Sequence, residues 1–402
     1  MTTLPNRLKR QLNGVRICRI STVPFFMVSQ LKSQVEYLQD IGMEIVLVSS
    51  AGPEWSILKT GQGLRIKIIS IPRSLNLWLD FIALVKLTRF FLMHRFDIAH
   101  STTPKAGLLT AIAAFLSGIP IRLHTFTGQP WVNLKGIMRS SSRLADKLIG
   151  ALNTKCYADS SSQAQFIVKE GILSSRKIAV LGQGSLAGVN MARFNLEHWS
   201  LSMKQDLRAS LSIRQSSKIL IFVGRISPEK GIYELITAFC ELIRMNYDVD
   251  LLLVGPYDHD CGGQNSIDLK KTKQCSHIHY IGFTECPEKF LAISDIFCMP
   301  SYREGFGTGV IEAAAMGLPT VGTKIYGLID AVIDGETGIL VPPYNHGALL
   351  VALKHLLDHP DELNKMGRAA RQRCLQYFDA NQVNREVAEE YISILKMKKV
   401  VC

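Results

Sequence analysis

The chain lacks the sequence features that mark several classes of protein. Its nine cysteines are scattered, with no C-x-x-C pair and no zinc-finger spacing, so neither a disulfide scaffold nor a structural zinc site is predicted. Residues 1–14 are polar and basic and contain no apolar signal-peptide core. No internal repeat or low-complexity tract is visible. We therefore expect reduced thiols and a cytoplasmic location.

Long apolar runs are also missing. The most apolar candidate, residues 75–93, is interrupted by Asp80, Lys86 and Arg89, whereas a membrane span needs about 20 mostly apolar residues. We expect this segment to be a helix packed in or on a globular domain. The 402 residues, 47% of them hydrophobic and 20% charged, are enough for two domains with well-filled cores.

Acidic residues are scarce in the first half of the chain. Residues 1–187 carry 23 Lys and Arg against 9 Asp and Glu, a net charge of +14, whereas residues 188–402 carry 23 against 25, a net charge of −2. A basic half indicates an anionic partner such as a membrane leaflet; simple solubility is the alternative explanation. No basic stretch is interleaved with stacking aromatics, so no nucleic-acid partner is expected.

What the sequence does contain is a regular alternation of β-rich runs and helical patterns. The β-rich runs include 16–20, 44–49, 98–100 and 121–125 in the first half, and 219–223, 250–254, 296–299 and 338–341 in the second. Such alternation predicts parallel βαβ units. We predict an α/β protein of two doubly wound domains, 1–187 and 188–402, facing each other across a cleft. The last helix, about 382–397, is a candidate to pack back on the first domain.

Two cations follow a predicted strand in the second half. Arg225 and Lys230 lie just after the apolar run 219–223, and side chains at the carboxyl end of a parallel strand reach the ligand-binding edge of the sheet. Their charges suit a departing diphosphate and can replace a metal ion there. A solvated helix start is the alternative, since Ser227-Pro228-Glu229 also resembles an N-cap followed by proline.

Two glutamates bracket a glycine-rich turn. Glu304 and Glu312 lie on either side of Gly305-Phe306-Gly307-Thr308-Gly309, where glycines let backbone N–H groups approach a phosphate at a helix N-terminus. Glu304 can stabilise positive charge on a sugar, and Glu312 can accept hydrogen bonds from ribose hydroxyls. Two exposed acids at a helix start are the structural alternative. Together with the two cations, the turn predicts a site for a nucleoside-diphosphate sugar.

The first half offers two further candidates. His124 is predicted at the end of strand 121–125, as either a packed core residue or a group facing the second domain. A second pattern is a set of cations that repeat every four residues beside apolar side chains, a spacing typical of an interfacial helix. We predict contact of these cations with a membrane or a lipid diphosphate, and a solvated basic face is the alternative. The cations are Lys135, Arg139, Arg143 and Lys147, and the apolar neighbours are Ile137, Met138, Leu144 and Leu148.

These motifs resemble those of the retaining glycosyltransferases of family four, which have the GT-B fold. The resemblance is carried by Val223-Gly224-Arg225 with Lys230-Gly231, by the E-x7-E pair of Glu304 and Glu312, and by residues 334–338. His124-Thr125 and residues 184–194 extend it into the first half, where the sequence is similar to members that build lipid-linked surface polysaccharides in bacteria.

The resemblance implies a donor site for a UDP-sugar, with the base near Gly282-Phe283 and His124 touching the sugar. His124, Arg225, Lys230 and Glu304 would be the catalytic residues. The residues it implies for binding the nucleotide sugar are Gly224, Arg225, Lys230, Gly282, Phe283, Glu304, Gly305, Phe306, Gly307, Thr308 and Glu312.

The implied reaction moves a hexose or N-acetylhexosamine, with retention of configuration, to an undecaprenyl-diphosphate-linked saccharide in capsule, O-antigen or exopolysaccharide synthesis. It requires no metal and no cofactor, and it takes place at the inner face of the cell membrane, where the protein is peripheral. The residues leave two other classes open. One is a sugar-nucleotide epimerase or hydrolase of similar architecture, and the other is a non-enzymatic basic protein of the membrane surface.

Overall fold

The computed structural model describes residues 4–58, 64–72, 74, 76–257 and 275–401. The chain forms two compact units, residues 1–188 together with 380–402, and residues 189–379. Each unit is built on its own parallel sheet. The C-terminal helix therefore belongs with the first unit, although the chain reaches it only after completing the second. The limits 1–187 and 188–402 remain sequence predictions of domains.

The first unit contains a seven-stranded sheet in the order β3-β2-β1-β4-β5-β6-β7. Neighbouring strands are parallel throughout. The strand order reverses between β1 and β4, and such a switch point is where doubly wound sheets open a crevice at their carboxyl edge. The strands are β1 Arg16–Ile20, β2 Glu44–Ser49, β3 Leu64–Ile68, β4 Ile98–Thr102, β5 Ile121–Phe126, β6 Lys155–Ala158 and β7 Ile178–Ala179.

The second unit contains a six-stranded parallel sheet in the order β10-β9-β8-β11-β12-β13. Its central strands are almost continuously apolar and buried, as expected for a parallel sheet covered on both faces. The strands are β8 Lys218–Val223, β9 Val249–Val254, β10 Ile278–Gly282, β11 Ile296–Met299, β12 Thr320–Thr323 and β13 Gly338–Val341.

Helices cover both sheets. The longer ones are α1 Leu4–Leu12, α2 Lys32–Asp40, α3 Leu77–Met93, α4 Pro104–Leu116, α5 Gly136–Leu152, α6 Ser161–Lys169, α7 Leu201–Ser210, α8 Ile232–Arg244, α9 Thr308–Ala315, α10 His346–Asp358, α11 Pro360–Tyr377 and α12 Ala380–Val401. Shorter helical segments are Pro24–Phe26, Met27–Leu31, Pro53–Ile57, Pro130–Val132, Leu196–His198, Pro228–Lys230, Glu288–Leu291 and Leu328–Ala331. None of the helices within the described ranges is long and apolar enough to cross a bilayer.

The two faces of the first sheet carry separate cores. On one face, α1, α2 and α12 pack around side chains such as Ile17 and Leu123. On the other, α3 and α4 cover Cys18 and Ala99, and α5 and α6 cover the neighbouring strands β5 and β6. Because α4 contacts both α3 and α5, these three helices form one continuous layer.

Helix α12 is tied to the first sheet by buried polar contacts. The hydroxyl of Tyr391 accepts a hydrogen bond from Arg19 at 2.8 Å and lies 2.7 Å from Nδ1 of His100. Glu390 lies 2.5 Å from Nζ of Lys155 and accepts from the hydroxyl of Tyr157 at 2.8 Å. Arg19 and Tyr391 are each about 1% exposed, so the helix is an integral layer of this unit.

Candidate functional site

Lys230 and Glu304 meet in the second unit. Lys230 follows β8 and Glu304 follows β11, the strand paired with β8. Nζ of Lys230 donates to Oε1 of Glu304 at 2.6 Å, and the two side chains are only 18% and 14% exposed. Because both strands end at the carboxyl edge of one parallel sheet, residues separated by 74 positions come together there. The structure therefore joins the two motifs that the sequence places far apart.

Glu229 organises two arginines beside this pair. Its carboxylate accepts from Arg225 at 2.8 Å and from Arg303 at 3.1 Å. Partial burial works against ionisation of Glu229, but the positive charges of Arg303, Lys230 and Arg225 outweigh it, and the pKa of this carboxyl is lowered. Three cations, Arg225, Arg303 and Lys230, therefore lie near one carboxylate, and such a group of cations suits a diphosphate.

Gly231 allows the Lys230 segment to lie against β11. Its φ is +67°, and a Cβ there would overlap the carbonyl oxygen of Pro300, the residue after β11. Only glycine combines this left-handed conformation with so close an approach. The Lys-Gly order in the motif is thus explained: the glycine lets the backbone reach the neighbouring strand end, and this brings the lysine beside Glu304.

The glycine-rich turn leads into the N-terminus of helix α9. Gly307 is the N-cap of α9 with φ +91°, and no side-chain cap is found for this helix. The first N–H groups of a helix have no intrahelical acceptor and attract anions. Phe306 does not reach the site with its ring, because the ring is 3% exposed and packs 5.2 Å from Phe378. Any contact from Phe306 to a ligand would therefore come from its backbone.

Glu312 lies in the second turn of α9 and is partly buried. Burial raises the pKa of this carboxyl to about 7; Arg193 opposes the rise and Glu288 adds to it. Arg193 in turn donates to Glu288 at 2.8 Å. The predicted ribose acceptor therefore lies in a small charged cluster, and its protonation changes near neutral pH.

The remaining predicted donor residues lie at the ends of strands in the same unit. Gly224 follows β8 with φ +155°, and Gly282 ends β10 with φ +75°. Phe283 comes directly after it and is 57% exposed. An exposed aromatic ring at a strand end is suited to contact a nucleobase. These positions agree with a donor site along the carboxyl edge, and their roles stay predictions.

His124 lies inside β5 and not at its end, because the strand continues to pair with β6 through Phe126. Its side chain is 1% exposed. Nδ1 lies 2.9 Å from the hydroxyl of Ser101, and a Cβ on Gly107 of α4 would overlap the ring. Burial lowers the pKa of the imidazole to about 3, so the ring is neutral at physiological pH. Its contact with a donor sugar remains a prediction from resemblance.

The basic residues predicted for membrane contact differ in how far the fold engages their side chains. Arg143 lies 2.8 Å from Glu170 and its guanidinium is 5.0 Å from the ring centre of Trp131, so the fold engages it. The others, Lys135, Arg139 and Lys147, are exposed. Their apolar neighbours on α5 are exposed as well, with Ile137 at 88% and Leu144 at 66%. This surface keeps the composition of an interfacial helix.

Comparison with known proteins identifies the family. A capsular polysaccharide biosynthesis glycosyltransferase of Staphylococcus aureus is 30% identical over 369 residues, which cover 91% of this chain and 94% of that protein. Residues 203–373 also match the model of the glycosyl transferases group 1. The chain belongs to the glycosyl transferases of group 1.

Other relatives of this glycosyltransferase cover nearly the whole chain. A UDP-Gal:alpha-D-GlcNAc-diphosphoundecaprenol alpha-1,3-galactosyltransferase of Escherichia coli is 24% identical, over 97% of this chain and all of that protein. Two structures superpose with a TM-score of 0.77 at 18% identity. One is Anabaena HepE in complex with UDP and glucose, and the superposition covers 94% of this chain and 100% of HepE. The other is sucrose-phosphate synthase of Thermosynechococcus elongatus, and the superposition covers 95% of this chain and 100% of the synthase. The predicted α/β GT-B fold with two doubly wound units is thus confirmed, and family four remains a prediction.

Several site residues of this glycosyltransferase were not identified from the sequence. Arg303 directly precedes Glu304 in a strand-end loop, so its position alone is a usable signal for a third cation. Glu229 was interpreted only as part of an N-cap, yet it holds both arginines. Arg193 and Glu288 carry no local signal, because they lie far from Glu312 in the sequence and meet it only through folding.

Proposed function

We propose that this glycosyltransferase moves a hexose or N-acetylhexosamine from a UDP-sugar to an undecaprenyl-diphosphate-linked saccharide in capsule, O-antigen or exopolysaccharide synthesis. The observation that carries the proposal is the 2.6 Å contact between Lys230 and Glu304, which brings a phosphate-binding cation and a sugar-binding carboxylate to one point. The names of two relatives support the chemistry, since one acts in capsular polysaccharide biosynthesis and the other transfers Gal from UDP-Gal to a diphosphoundecaprenol-linked sugar.

The donor lies along the carboxyl edge of the second sheet in this proposal. Arg225 and Lys230 bind the diphosphate together with N–H groups at the start of α9, and Arg303 adds a third positive charge. The carboxylate of Glu312 accepts from the ribose hydroxyls. The base contacts Gly282 and Phe283. Fixed charges and amide dipoles need no rearrangement as negative charge develops on the leaving group, which is why they favour the transition state.

Glu304 acts on the sugar without forming a bond to it. Its carboxylate is already the acceptor of a short hydrogen bond from Lys230, which lowers its power as a nucleophile and suits it to orient the sugar and stabilise positive charge. The bond between the anomeric carbon and the diphosphate oxygen breaks, and the acceptor hydroxyl oxygen bonds to that carbon on the same face. The proton of the acceptor moves to the departing UDP. The anomeric configuration is retained, and no metal takes part.

The acceptor and the membrane belong to the first unit in this proposal. Residues 1–187 carry the whole basic surplus of the chain, which attracts an anionic leaflet. The exposed cations and apolar side chains of α5 are suited to lie at such a surface. We place the protein at the cytoplasmic face of the membrane, where UDP-sugars and the lipid-linked acceptor meet.

The test is turnover with a matched control. Purified protein is incubated with a panel of UDP-sugars and undecaprenyl-diphosphate-linked saccharides, UDP release is measured, and the product linkage is determined by NMR. We expect release with one donor and acceptor pair and a product of the donor's anomeric configuration. Lys218→Gln, at the opposite end of β8, should keep this activity. No release with any pair, or an inverted product, would contradict the proposal.

A further inference from the structure

Helix α3 exposes large apolar side chains at its N-terminal end. Leu77, Trp78 and Phe81 are 85%, 69% and 56% exposed, and the rings of Trp78 and Phe81 stack with centroids 6.2 Å apart. A helix on the surface of a globular unit normally turns polar residues to water. A contiguous patch of exposed apolar side chains on a globular unit marks an interaction site.

The start of α3 lies at the carboxyl edge of the first sheet. Helices α3, α4 and α5 each end shortly before the next strand begins, so their C-terminal ends lie at the amino edge and their N-terminal ends at the carboxyl edge. Lys105 in the first turn of α4 bonds Asp80 in the first turn of α3 at 2.8 Å. These two helix starts are therefore side by side at the edge where doubly wound sheets bind their ligands.

The start of α5 adds a second apolar element at the same edge. Ile137 and Met138 are 88% and 55% exposed, and α4 packs between α3 and α5. Lys135 and Arg139 lie exposed beside them. Asp80, the acidic residue of the first turn of α3, is paired with Lys105. The edge therefore combines aromatic and aliphatic groups with a net positive charge.

We propose that the starts of α3 and α5 insert together into an anionic membrane leaflet, with Trp78 and Phe81 as the deeper anchor. This inference rests on the proposed function, which places the acceptor in that leaflet. The combination of exposed Trp with flanking cations, in a half of net charge +14, fits an interface of anionic headgroups and acyl chains. A second copy of the chain fits less well, because Lys135 and Arg139 would face like charges across a twofold contact.

Insertion at this edge also explains how a lipid-linked acceptor is presented. The diphosphate of such an acceptor lies at the headgroup level of the leaflet. If α3 and α5 enter the leaflet by their first turns, the carboxyl ends of the first-sheet strands lie at that same level. The acceptor then reaches the ligand-binding edge of the sheet without leaving the membrane.

The first test is vesicle binding by a pair of double variants. Trp78→Ser with Phe81→Ser removes the anchor, and Leu92→Ser with Met93→Ser is the control at the other end of the same helix, where the side chains are 65% and 66% exposed. On vesicles of phosphatidylcholine and phosphatidylglycerol we expect the first variant to bind about tenfold more weakly or worse and the control to bind as wild type. Equal binding of the two variants would overturn the proposal.

Fluorescence locates the anchor directly. Vesicles with brominated acyl chains should quench the emission of wild-type protein, and Trp78→Phe should lose most of this quenching while it still binds, because phenylalanine keeps the apolar contact. Unchanged quenching in Trp78→Phe would contradict insertion of Trp78. So would a change of oligomeric state in the Trp78→Ser, Phe81→Ser variant with unaltered vesicle binding, since that result assigns the surface to a second copy of the chain.

Turnover separates this inference from the proposed function. The anchor variant should release UDP as wild type does with a short-chain, water-soluble acceptor and should lose activity with an acceptor embedded in vesicles. Full activity on both acceptors would contradict the membrane anchor and leave the proposed function standing. Wild-type protein that binds vesicles through Trp78 but transfers no sugar to either acceptor would contradict the proposed function and leave the anchor standing.

Discussion

Lys230 and Glu304 form a contact in which each side chain is largely withdrawn from water. Removing one partner of such a pair leaves the other charge without compensation, whereas removing both is less costly. If the proposed donor site is correct, its chemistry and the stability of the protein depend on the same two residues, and a double-mutant cycle can separate the two effects.

In that cycle, Lys230→Gln and Glu304→Gln should each lower the free energy of unfolding by a few kcal/mol, and the double variant should recover part of the loss. All three should lower kcat/KM by about 100-fold or more, because a group that stabilises transition-state charge is gone. Urea denaturation and UDP release measure the two quantities. A Lys230→Gln protein with wild-type kcat/KM would rule out the assigned role of the lysine.

Glu312 predicts a pH dependence of stability. Its pKa is raised from 4.5 to about 7 in the folded chain, chiefly by burial, so the folded state holds this proton more tightly than the unfolded state. The free energy of unfolding therefore falls as pH rises from about 4.5 through about 7. Glu312→Gln, which cannot ionise, should be more stable than wild type at pH 8 by about 1 to 3 kcal/mol, and the difference should shrink at pH 5.

Urea denaturation at the two pH values measures this difference, and Glu336→Gln serves as an exposed control in the same unit. The same loss of charge at Glu312 should weaken UDP binding at pH 8 while it stabilises the fold. If wild type and Glu312→Gln lose stability in parallel between pH 5 and pH 8, the carboxyl does not titrate as described.

Among the elements, the start of α9 depends on a glycine in a left-handed conformation. Gly307 has a φ of +91°, and a Cβ there would lie 2.7 Å from a methyl carbon of Leu328. Gly335 in the same unit has a similar φ of +79° with nothing near its missing Cβ. The two positions share the conformational penalty for a side chain but differ in packing and in distance from the donor motifs, so they form a matched pair.

Gly307→Ala and Gly335→Ala should each lose about 1 to 2 kcal/mol of stability from the left-handed backbone, with a further loss at Gly307 from the clash with Leu328. Only Gly307→Ala should weaken UDP binding, because it shifts the N–H groups at the start of α9. Calorimetric titration with UDP and thermal denaturation check both effects. Equal UDP affinity in the two variants would argue against a phosphate site at this helix start.

The elements were predictable where periodicity is strong. The alternation of apolar β-runs with helical patterns was enough to predict parallel βαβ units, and the apolar cluster 219–223 does form the central strand β8. The predicted end of β5 lies one residue too early, which leaves His124 either in the core or at the edge, and the structure buries it in the core. A strand end depends on how far its neighbours continue, and that information is not local.

Surface roles were harder to predict than strands. The sequence predicts the segment of α3 as a helix packed in or on a globular domain, because hydrophobicity alone does not distinguish a covered helix face from an exposed one. Burial of Ala83 and Leu87 beside exposure of Trp78 and Phe81 becomes visible only when the sheet beneath the helix is known. The ion pairs of Glu229 with two arginines were also not predictable from the sequence, because Arg303 is far from Glu229 in the sequence and the two meet only in the folded sheet.

In the whole molecule, the basic charge and the candidate donor residues lie in different parts of the chain. The basic surplus lies in residues 1–187, whereas Lys230 and Glu304, which we propose to bind a nucleotide sugar, lie in the unit 189–379. In the second unit, Arg225 is paired with Glu229 and Lys230 is paired with Glu304. Such preorganised charges are what the proposed metal-independent transfer requires.

The most direct test of this account is a crystal structure of the protein with UDP, grown in the presence of EDTA. We predict diphosphate oxygens within hydrogen-bond distance of Lys230 and Arg225, about 2.7 to 3.2 Å, and at the first N–H groups of α9. UDP that binds only when a divalent cation is restored, or that binds away from these residues, would contradict the claim that fixed protein charges alone hold the leaving group.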